Sequence, residues 1–412
     1  LSSTVHLFLI DSALLWFLDR FLTSSVIVST VFTLINCTAM FAFRVYEKEF
    51  LENLNEQIVR TFTALFSSDI FKCALYRCFE ERVSLKYFAL HLAFGTLTVS
   101  FINYSLCLFR KTKPKSFIVI GRKDGVGHIL DEINLKTRGE YQFVHYVDHP
   151  QNDIEKFISS ANFILVSDYE LYQFVKDKVG LYNKKVVYLP EFVERTLKRI
   201  PIEVINRFES YYEQIFSQVK ESPSKRVLDI ACGVVGLVIF SPIMLILSIL
   251  ILLEDGRPVI FKQLRIGKDG KPFLMYKFRT MRNEESNQAK FADQENDRIL
   301  KIGKFMRSFR LDECPQFLNI LKGDMSIVGP RPEQIPFVKD FEQKIPYYSH
   351  RHVLKPGLTG WAQIMYKYSS TLEEVRTKLT YDLYYVKNRN IFMDLRIILQ
   401  TVEAILWRRG AK

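Results

Sequence analysis

The chain has 412 residues, 48% of them hydrophobic and 25% charged, and carries a formal net charge of +12. That length leaves room for two or three domains, and the mean hydropathy of +0.02 averages over strongly segregated segments. Its six cysteines show no CxxC spacing and mostly lie in apolar runs. This argues against a disulfide-stapled or metal-clipped design and points to a reducing compartment.

The first 110 residues hold four apolar runs. Thr23–Phe43 contains 21 residues without Asp, Glu, Lys or Arg, and Tyr87–Phe109 contains 23. A helix needs about 20 such residues to cross a bilayer, so both are candidate spans. Val5–Phe17 is interrupted by Asp11. Ile58–Phe79 contains Arg60, Asp69, Lys72 and Arg77, and reads as a span with paired charges or as an interfacial helix. Residues 1–110 are thus expected to form an N-terminal membrane domain of about four helices. The N-terminus lacks the basic start and small-residue cleavage site of a secretory signal. RKTKPK (110–115) follows with four positive charges, which by the positive-inside rule places this end in the cytoplasm.

Over 115–200 the pattern changes to short apolar runs alternating with amphipathic ones. SFIVIG (116–121), YQFVHYV (141–147), NFILVS (162–167) and KKVVYLP (184–190) read as buried strands, with helical stretches such as Asp168–Val179 between them. Strand–helix alternation predicts a Rossmann-like parallel sheet covered by helices. The turn GRKDGVGH after the first strand has Gly121, Gly125 and Gly127 at spacings that do not make a dinucleotide fingerprint, which favours a structural or regulatory role. His145 and His149 lack partners at metal-ligand spacing.

Residues 201–224 read as a connecting segment, with one amphipathic helix over 203–220. A third apolar segment, 228–253, carries a single charge, Asp229, and has Ser241-Pro242 near its midpoint. Proline removes an amide donor and clashes with the preceding turn, so the helix should bend or break. The serine hydroxyl can satisfy a freed carbonyl where no water reaches. Both flanks are basic: SPSKR before, and Arg257, Lys262, Arg265, Lys268, Lys271, Lys277 and Arg279 after. Both ends therefore belong in the cytoplasm, and a re-entrant helix–break–helix is expected rather than a kinked span.

The remaining residues carry the chemistry. RPVIFKQLRIGKDGKPFLMYKFRTM reads as a hairpin turning at GKDGK, with Lys277 and Arg279 at i and i+2 on one face. Arg307 and Arg310 precede the adjacent carboxylates Asp312 and Glu313, and Arg331 sits in the rigid turn Pro330-Arg331-Pro332. Neighbouring carboxylates repel unless a cation lies between them. Fixed cations around such a pair suit a diphosphate substrate with a divalent metal, because Arg binds phosphate oxygens bidentately and Mg²⁺ is typically held by one or two carboxylates plus phosphates.

PVIFKQLRIGKDGKPF, KFRTM, RSFRLDECPQFLNILKGDMSIVGPRP, KPGLTGWAQ and YDLYYVKN, in this order after a helix interrupted at Ser-Pro, resemble the bacterial polyprenyl-phosphate hexose-1-phosphate transferases, or monotopic phosphoglycosyl transferases. The resemblance covers 225–412, and the upstream layout is similar to the long-form members. It implies a membrane α plus α/β architecture: N-terminal transmembrane helices, the Rossmann-like domain, and a mainly helical catalytic domain with a re-entrant helix (228–253) and a small hairpin. It also implies a two-step reaction. Asp312 attacks the sugar-linked phosphate of a UDP-sugar, UMP leaves, and polyprenyl phosphate takes the phosphosugar. Glu313 would assist the metal, Mg²⁺ or Mn²⁺ held with Asp312, or deprotonate the lipid phosphate. Arg307 would position substrate phosphate or the catalytic helix, and Arg331, Lys277 and Arg279 would meet phosphate. Asp382 matches a family acid grouped with the substrate residues, and Ser241-Pro242 matches the family's helix break. Cys314 departs mildly by replacing a usually apolar residue, while Arg310 and Met365 fall at variable sites.

The implied partners are a UDP-sugar, polyprenyl phosphate and the bilayer, not nucleic acid, with a homodimer compatible with the long form. The implied location is the bacterial inner membrane, with the catalytic domain on its cytoplasmic face. Residues 391–410 read either as a helix in the membrane plane, with Trp407, Arg408 and Arg409 at its end, or as a core helix. Two rivals stand against this reading. A nucleotide-sugar dehydratase needs a glycine fingerprint and a Tyr-x-x-x-Lys pair, and neither is evident. A non-catalytic scaffold usually loses the acidic pair, which is kept here.

Overall fold

The computed structural model describes residues 2–23, 25–78, 85–109, 114–121, 123–147, 162–167, 175, 185–282, 299–366 and 371–406. These fall into two compact units, Leu1–Val187 and Tyr188–Lys412. The basic residues 110–113, most of the stretch expected as a helix over 168–179, His149, and Trp407 with Arg408 and Arg409 lie outside the described residues.

The first unit opens with four long helices: α1 (Ser2–Leu22), α2 (Val26–Ala42), α3 (Leu54–Cys78) and α4 (Leu85–Phe109). Apolar side chains such as Phe17, Phe21, Ile27, Phe41, Phe94 and Phe101 face outward, whereas Asp11, Asp19, Asp69, Lys72 and His91 are buried. Three of the charges expected in α3 are paired: Arg60 with Glu56, and Asp69 and Lys72 with one another. Lys72 Nζ lies 3.0 Å from Asp19 Oδ1 and 2.9 Å from Asp69 Oδ1, and Asn103 donates to Asp11 Oδ2 at 2.9 Å. Buried charges persist only when compensated in this way.

The unit then forms a four-stranded sheet ordered β2-β1-β3-β4, from β1 (Lys115–Ile120), β2 (Tyr141–Val147), β3 (Phe163–Val166) and β4 (Lys185–Tyr188). β1 runs parallel to β2 and to β3. A helix, α5 (Lys123–Lys136), connects β1 to β2. Val119, Ile120, Leu165 and Val166 are fully buried, as continuous apolar strands of a covered sheet should be.

The second unit begins with α6 (Leu189–Leu197), α7 (Ile202–Arg207) and α8 (Glu209–Ser217). Where one helix was expected over 203–220, there are two. Phe208 leaves the helical region (φ −122°, ψ 39°) and turns its buried ring edge-on to Tyr188. Next comes α9, a helix of 33 residues from Pro223 to Asp255, capped by Ser222. It is helical throughout, so the expected break at Ser241-Pro242 is corrected. Pro242 lacks the N–H that would reach the Val238 carbonyl, and Ser241 Oγ donates to that carbonyl instead, at 3.0 Å. The freed acceptor is satisfied without opening the helix.

Both ends of α9 are fastened to the rest of this unit, while only 17% of its most apolar stretch is buried. Its described neighbours in order are the hairpin β5 (Ile260–Ile266) and β6 (Pro272–Phe278), α10 (Lys301–Ser308), α11 (Gln316–Lys322), β7 (Ser326–Val328), α12 (Ile335–Lys344), β8 (Gly357–Thr359), α13 (Trp361–Met365), α14 (Leu372–Asn388) and α15 (Ile391–Leu406). Near its start, Arg226 donates to the Ile320 and Leu321 carbonyls at 2.7 and 2.8 Å, ending α11. Asp229 Oδ1 accepts from Ser326 Oγ at 2.8 Å and from the Ile327 amide at 2.9 Å. At its other end Leu247 and Ile251 pack with Phe278 and Met306, and Glu254 accepts from the Lys301 and Ile302 amides at 2.6 and 3.1 Å, capping α10. A carboxylate there meets the orphan donors and the positive end of the helix.

The hairpin is antiparallel, with Phe261 opposite Lys277 and Ile260 opposite Phe278. A short parallel pairing of β7 with β8 aligns Ser326 with Gly357 and Val328 with Thr359. Gly303 on α10 lies so close to Thr280 that a β-carbon would overlap the Thr280 carbonyl oxygen. Gly303→Ala is therefore expected to cost about 1–3 kcal/mol, read as a lower melting temperature of the detergent-solubilised protein; an unchanged melting temperature would refute this close approach.

Candidate active site

The local sequence forces the two carboxylates into a turn between helices. α10 ends at Ser308 with Phe309 as its C-cap, Arg310 takes a left-handed conformation (φ 54°), and a single 3₁₀ turn over Leu311–Glu313 carries the acids. Pro315 then caps the start of α11, and Gly323 caps its end in a left-handed conformation (φ 94°). Three other elements converge on this turn. β6 presents Lys277. The Pro330-Arg331-Pro332 turn after β7 presents Arg331. α10 brings Arg307, whose Nε donates to Thr280 Oγ1 at 3.1 Å.

Glu313 is 7% exposed, and one of its oxygens serves both cations. Oε1 accepts from Arg331 Nη2 at 2.7 Å and from Lys277 Nζ at 3.2 Å. Burial alone would raise the Glu313 carboxyl, but Arg331 and Lys277 together hold it well below the ordinary carboxylate range. Asp312 is different. Among the described residues no donor reaches its carboxylate, which is only partly buried. Burial first, and the Glu313 charge second, raise it above its usual value, against the pull of Lys277, Arg331 and Arg307. Burial and the same two carboxylates push the Cys314 thiol up to about 12. Cys314 is therefore no competing nucleophile, because the thiolate is the reactive form.

The arrangement separates the acids by role. Glu313 is spent on holding two cations, and a carboxylate held that low is a poor proton acceptor. That counts against its alternative part as a base. Asp312 keeps its oxygens unengaged beside three cations. Among the described residues no group of three or more His, Cys, Asp and Glu side chains is placed to hold a metal ion. Two carboxylates, one with its oxygens unengaged, nevertheless fit the hard-cation pattern in which phosphates and water complete the shell.

Two residues expected at the phosphates sit elsewhere. Arg279 is 4% exposed and lies past the end of β6. Its Nη2 donates to the Asp255 and Gly256 carbonyls, each at 2.8 Å, and it pairs with the Asp255 carboxylate at 3.2 Å. It closes the C-terminus of α9, where the last carbonyls need donors. Asp382 is held by Arg351, with Oδ2 accepting from Nε at 3.0 Å. The same guanidinium donates to the Arg331 carbonyl at 2.8 Å, so Asp382 bears on the site only through the backbone of the proline-flanked turn.

Several supporting residues escaped the sequence reading. Arg265 donates to the Pro332 carbonyl at 3.3 Å, so two cations grip this turn by its backbone. Asn319, fully buried on α11, accepts from the Tyr276 amide at 3.0 Å and donates to the Leu274 carbonyl at 2.7 Å, fixing the strand that presents Lys277. A polar residue in the apolar helix FLNIL was the one available signal for it.

Residues 220–408 match the bacterial sugar transferase family. Over 189 residues, 46% of this chain, the sequence is 44% identical to the UDP-N-acetylgalactosamine-undecaprenyl-phosphate N-acetylgalactosaminephosphotransferase of Aeromonas hydrophila, of which the match covers 45%. It is 40% identical over 181 residues, 43% of this chain, to the UDP-glucose:undecaprenyl-phosphate glucose-1-phosphate transferase of Escherichia coli (strain K12), covering 39% of that protein. It is also 40% identical over 186 residues, 45% of this chain, to the uncharacterized sugar transferase EpsL of Bacillus subtilis (strain 168), covering 89% of it. The chain belongs to the bacterial sugar transferase family. The matches span less than half the length of the Aeromonas and Escherichia relatives.

The unequal surroundings of the two acids predict opposite effects on stability. Glu313→Gln leaves two cations without their carboxylate and should destabilise the protein by about 3 kcal/mol or more. Asp312→Asn removes a half-buried charge from beside another and should leave stability unchanged or slightly raised. Calorimetric melting of both variants in detergent checks this; equal losses would contradict the division.

Proposed function

We propose that this protein transfers a hexose-1-phosphate from a UDP-sugar to polyprenyl (undecaprenyl) phosphate, releases UMP, and works through a covalent phosphosugar on Asp312. The observation that carries the reading is the unengaged Asp312 carboxylate beside Lys277, Arg331 and Arg307, next to a Glu313 already locked by two of them. An Asp312 oxygen attacks the sugar-bearing phosphorus, and the phosphoanhydride bond to UMP breaks, with UMP taking the electron pair. An oxygen of polyprenyl phosphate then attacks the same phosphorus, and the bond to Asp312 breaks, restoring the carboxylate. Dividing one displacement into two is covalent catalysis. Arg331 and Lys277, anchored by Glu313, and Arg307 supply fixed positive charge where phosphoryl oxygens gather.

Asp312, with Glu313 beside it, would hold the expected Mg²⁺ or Mn²⁺. When bound, that ion offsets charge on the phosphate oxygens as transfer proceeds. The names of the Aeromonas and Escherichia relatives, each acting on a UDP-sugar and undecaprenyl phosphate, support this substrate pair.

The same reading places the second unit at the cytoplasmic face of the bacterial inner membrane. α9 is one of two described helices long and apolar enough to cross a bilayer. Yet Arg226 and Asp229 near its start, and Glu254 and Asp255 at its end, all bond to this same unit. That favours entry and exit on one face over a crossing, which an unbroken helix achieves by bending at Pro242, with the UDP-sugar arriving from water and the lipid phosphate from the bilayer.

UMP release from a panel of UDP-sugars, with polyprenyl phosphate present, tests the reaction. Asp312→Asn should lower the rate by about 10³-fold or more, and Arg331→Ala by roughly 10²-fold. UMP release by Asp312→Asn at the wild-type rate would overturn the proposal.

A further inference from the structure

A second polar site lies in the same unit and shares no residue with the acidic pair. The C-terminal end of α8 and the C-terminal end of α14 enclose a shallow cleft of about 310 Å³, lined by Gln218, Lys220, Val386, Lys387 and Arg389. Its floor is cationic. Lys387 is compensated, since Glu194 Oε1 accepts from its Nζ at 2.6 Å. Lys220 and Arg389 have no carboxylate partner among the described residues. Arg389 donates through Nη2 to the Lys220 carbonyl, and its Nη1 is buried without an acceptor. That nitrogen lies beneath the surface, so the cleft itself is lined by the exposed Lys220 and by the rest of the Arg389 guanidinium, whose planar donors suit phosphate oxygens.

The cleft's position identifies the source of that phosphate. Three residues beyond Lys220, Pro223 starts α9, which exposes Val227 and Ile230. Two residues beyond Arg389, Ile391 starts α15, which exposes Ile391, Phe392 (79% exposed) and Leu395. Lys225 Nζ and Asp394 Oδ2, 3.0 Å apart, tie the two helix starts together. A basic cleft is thus flanked by two apolar shelves, the pattern of a headgroup beside acyl chains. We infer that this cleft seats the phosphodiester of an anionic membrane phospholipid, fastening the starts of α9 and α15 to the bilayer surface. The inference rests on the reading of α9 as membrane-embedded.

Native mass spectrometry of the full-length protein, released from micelles containing phosphatidylglycerol or phosphatidylcholine, tests it. The wild type should retain phosphatidylglycerol in preference. Lys220→Gln with Arg389→Gln should weaken that retention by about tenfold and leave phosphatidylcholine unaffected. If the double variant fails to fold, Lys220→Glu, at an exposed position, should give the same loss. Equal retention of phosphatidylglycerol by wild type and variants overturns the site. Displacement of the lipid by millimolar inorganic phosphate overturns the lipid assignment in favour of a free anion. No retention of either lipid by the wild type sinks the membrane reading of α9 together with the site. Retention of phosphatidylglycerol by a wild type that releases no UMP sinks the reaction and supports the site.

Discussion

The second unit is organised around one electrostatic constraint: two adjacent carboxylates must sit partly out of water. The solution is unequal. One oxygen of Glu313 receives both Arg331 and Lys277, and this pairing draws β6, the 3₁₀ turn and the proline-flanked turn to a single point. Asp312 is left partly buried beside the same cations without being bound by them. A carboxylate that is near cations yet free of hydrogen bonds is raised in energy relative to its neighbour, and it is available to a phosphorus centre or a divalent ion.

Each element that contributes to this point is also fastened to α9. Glu254 caps α10, Arg226 closes α11, and Asp229 holds the first residues of β7. The α9 carbonyls in turn receive Arg279 from the end of β6. Gly233 and Gly236 let the helix close on Leu321 and Phe317 of α11 at distances no β-carbon would allow. This long apolar helix is therefore part of the scaffold that sets the spacing of the cations, and its position is linked to the geometry at the acids through short hydrogen bonds. The grip of Arg351 and Arg265 on the backbone of the proline-flanked turn serves the same end from the opposite side.

Much of this was legible in the sequence because it follows from local periodicity. The short β-branched and aromatic runs became β1 to β4, and GKDGK turned the hairpin. The acidic pair stood out as a like-charge contact in a basic chain. Lys277 and Arg331 were legible as cations of the same site, expected at phosphate; that one oxygen of Glu313 holds both was not legible. Long-range choices were not legible. Arg279 has the parity to point with Lys277, but the strand ends at Phe278 and the helix terminus of α9 claims its guanidinium. Asp382 looks like a site acid, yet the partner that fixes its meaning, Arg351, is 31 residues away in sequence. Pro242 was legible only by half: Ser241 does satisfy the freed carbonyl of Val238, but the helix continues where a break was expected.

The account turns on Asp312 bearing the phosphosugar. The most direct measurement is mass analysis of peptides from full-length protein given a UDP-sugar it turns over, without lipid acceptor, and then quenched. The account predicts a hexose-phosphate mass added on the peptide containing Asp312, discharged when polyprenyl phosphate is supplied before quenching. A donor-dependent adduct on another side chain, or full turnover with no adduct trapped, would contradict it.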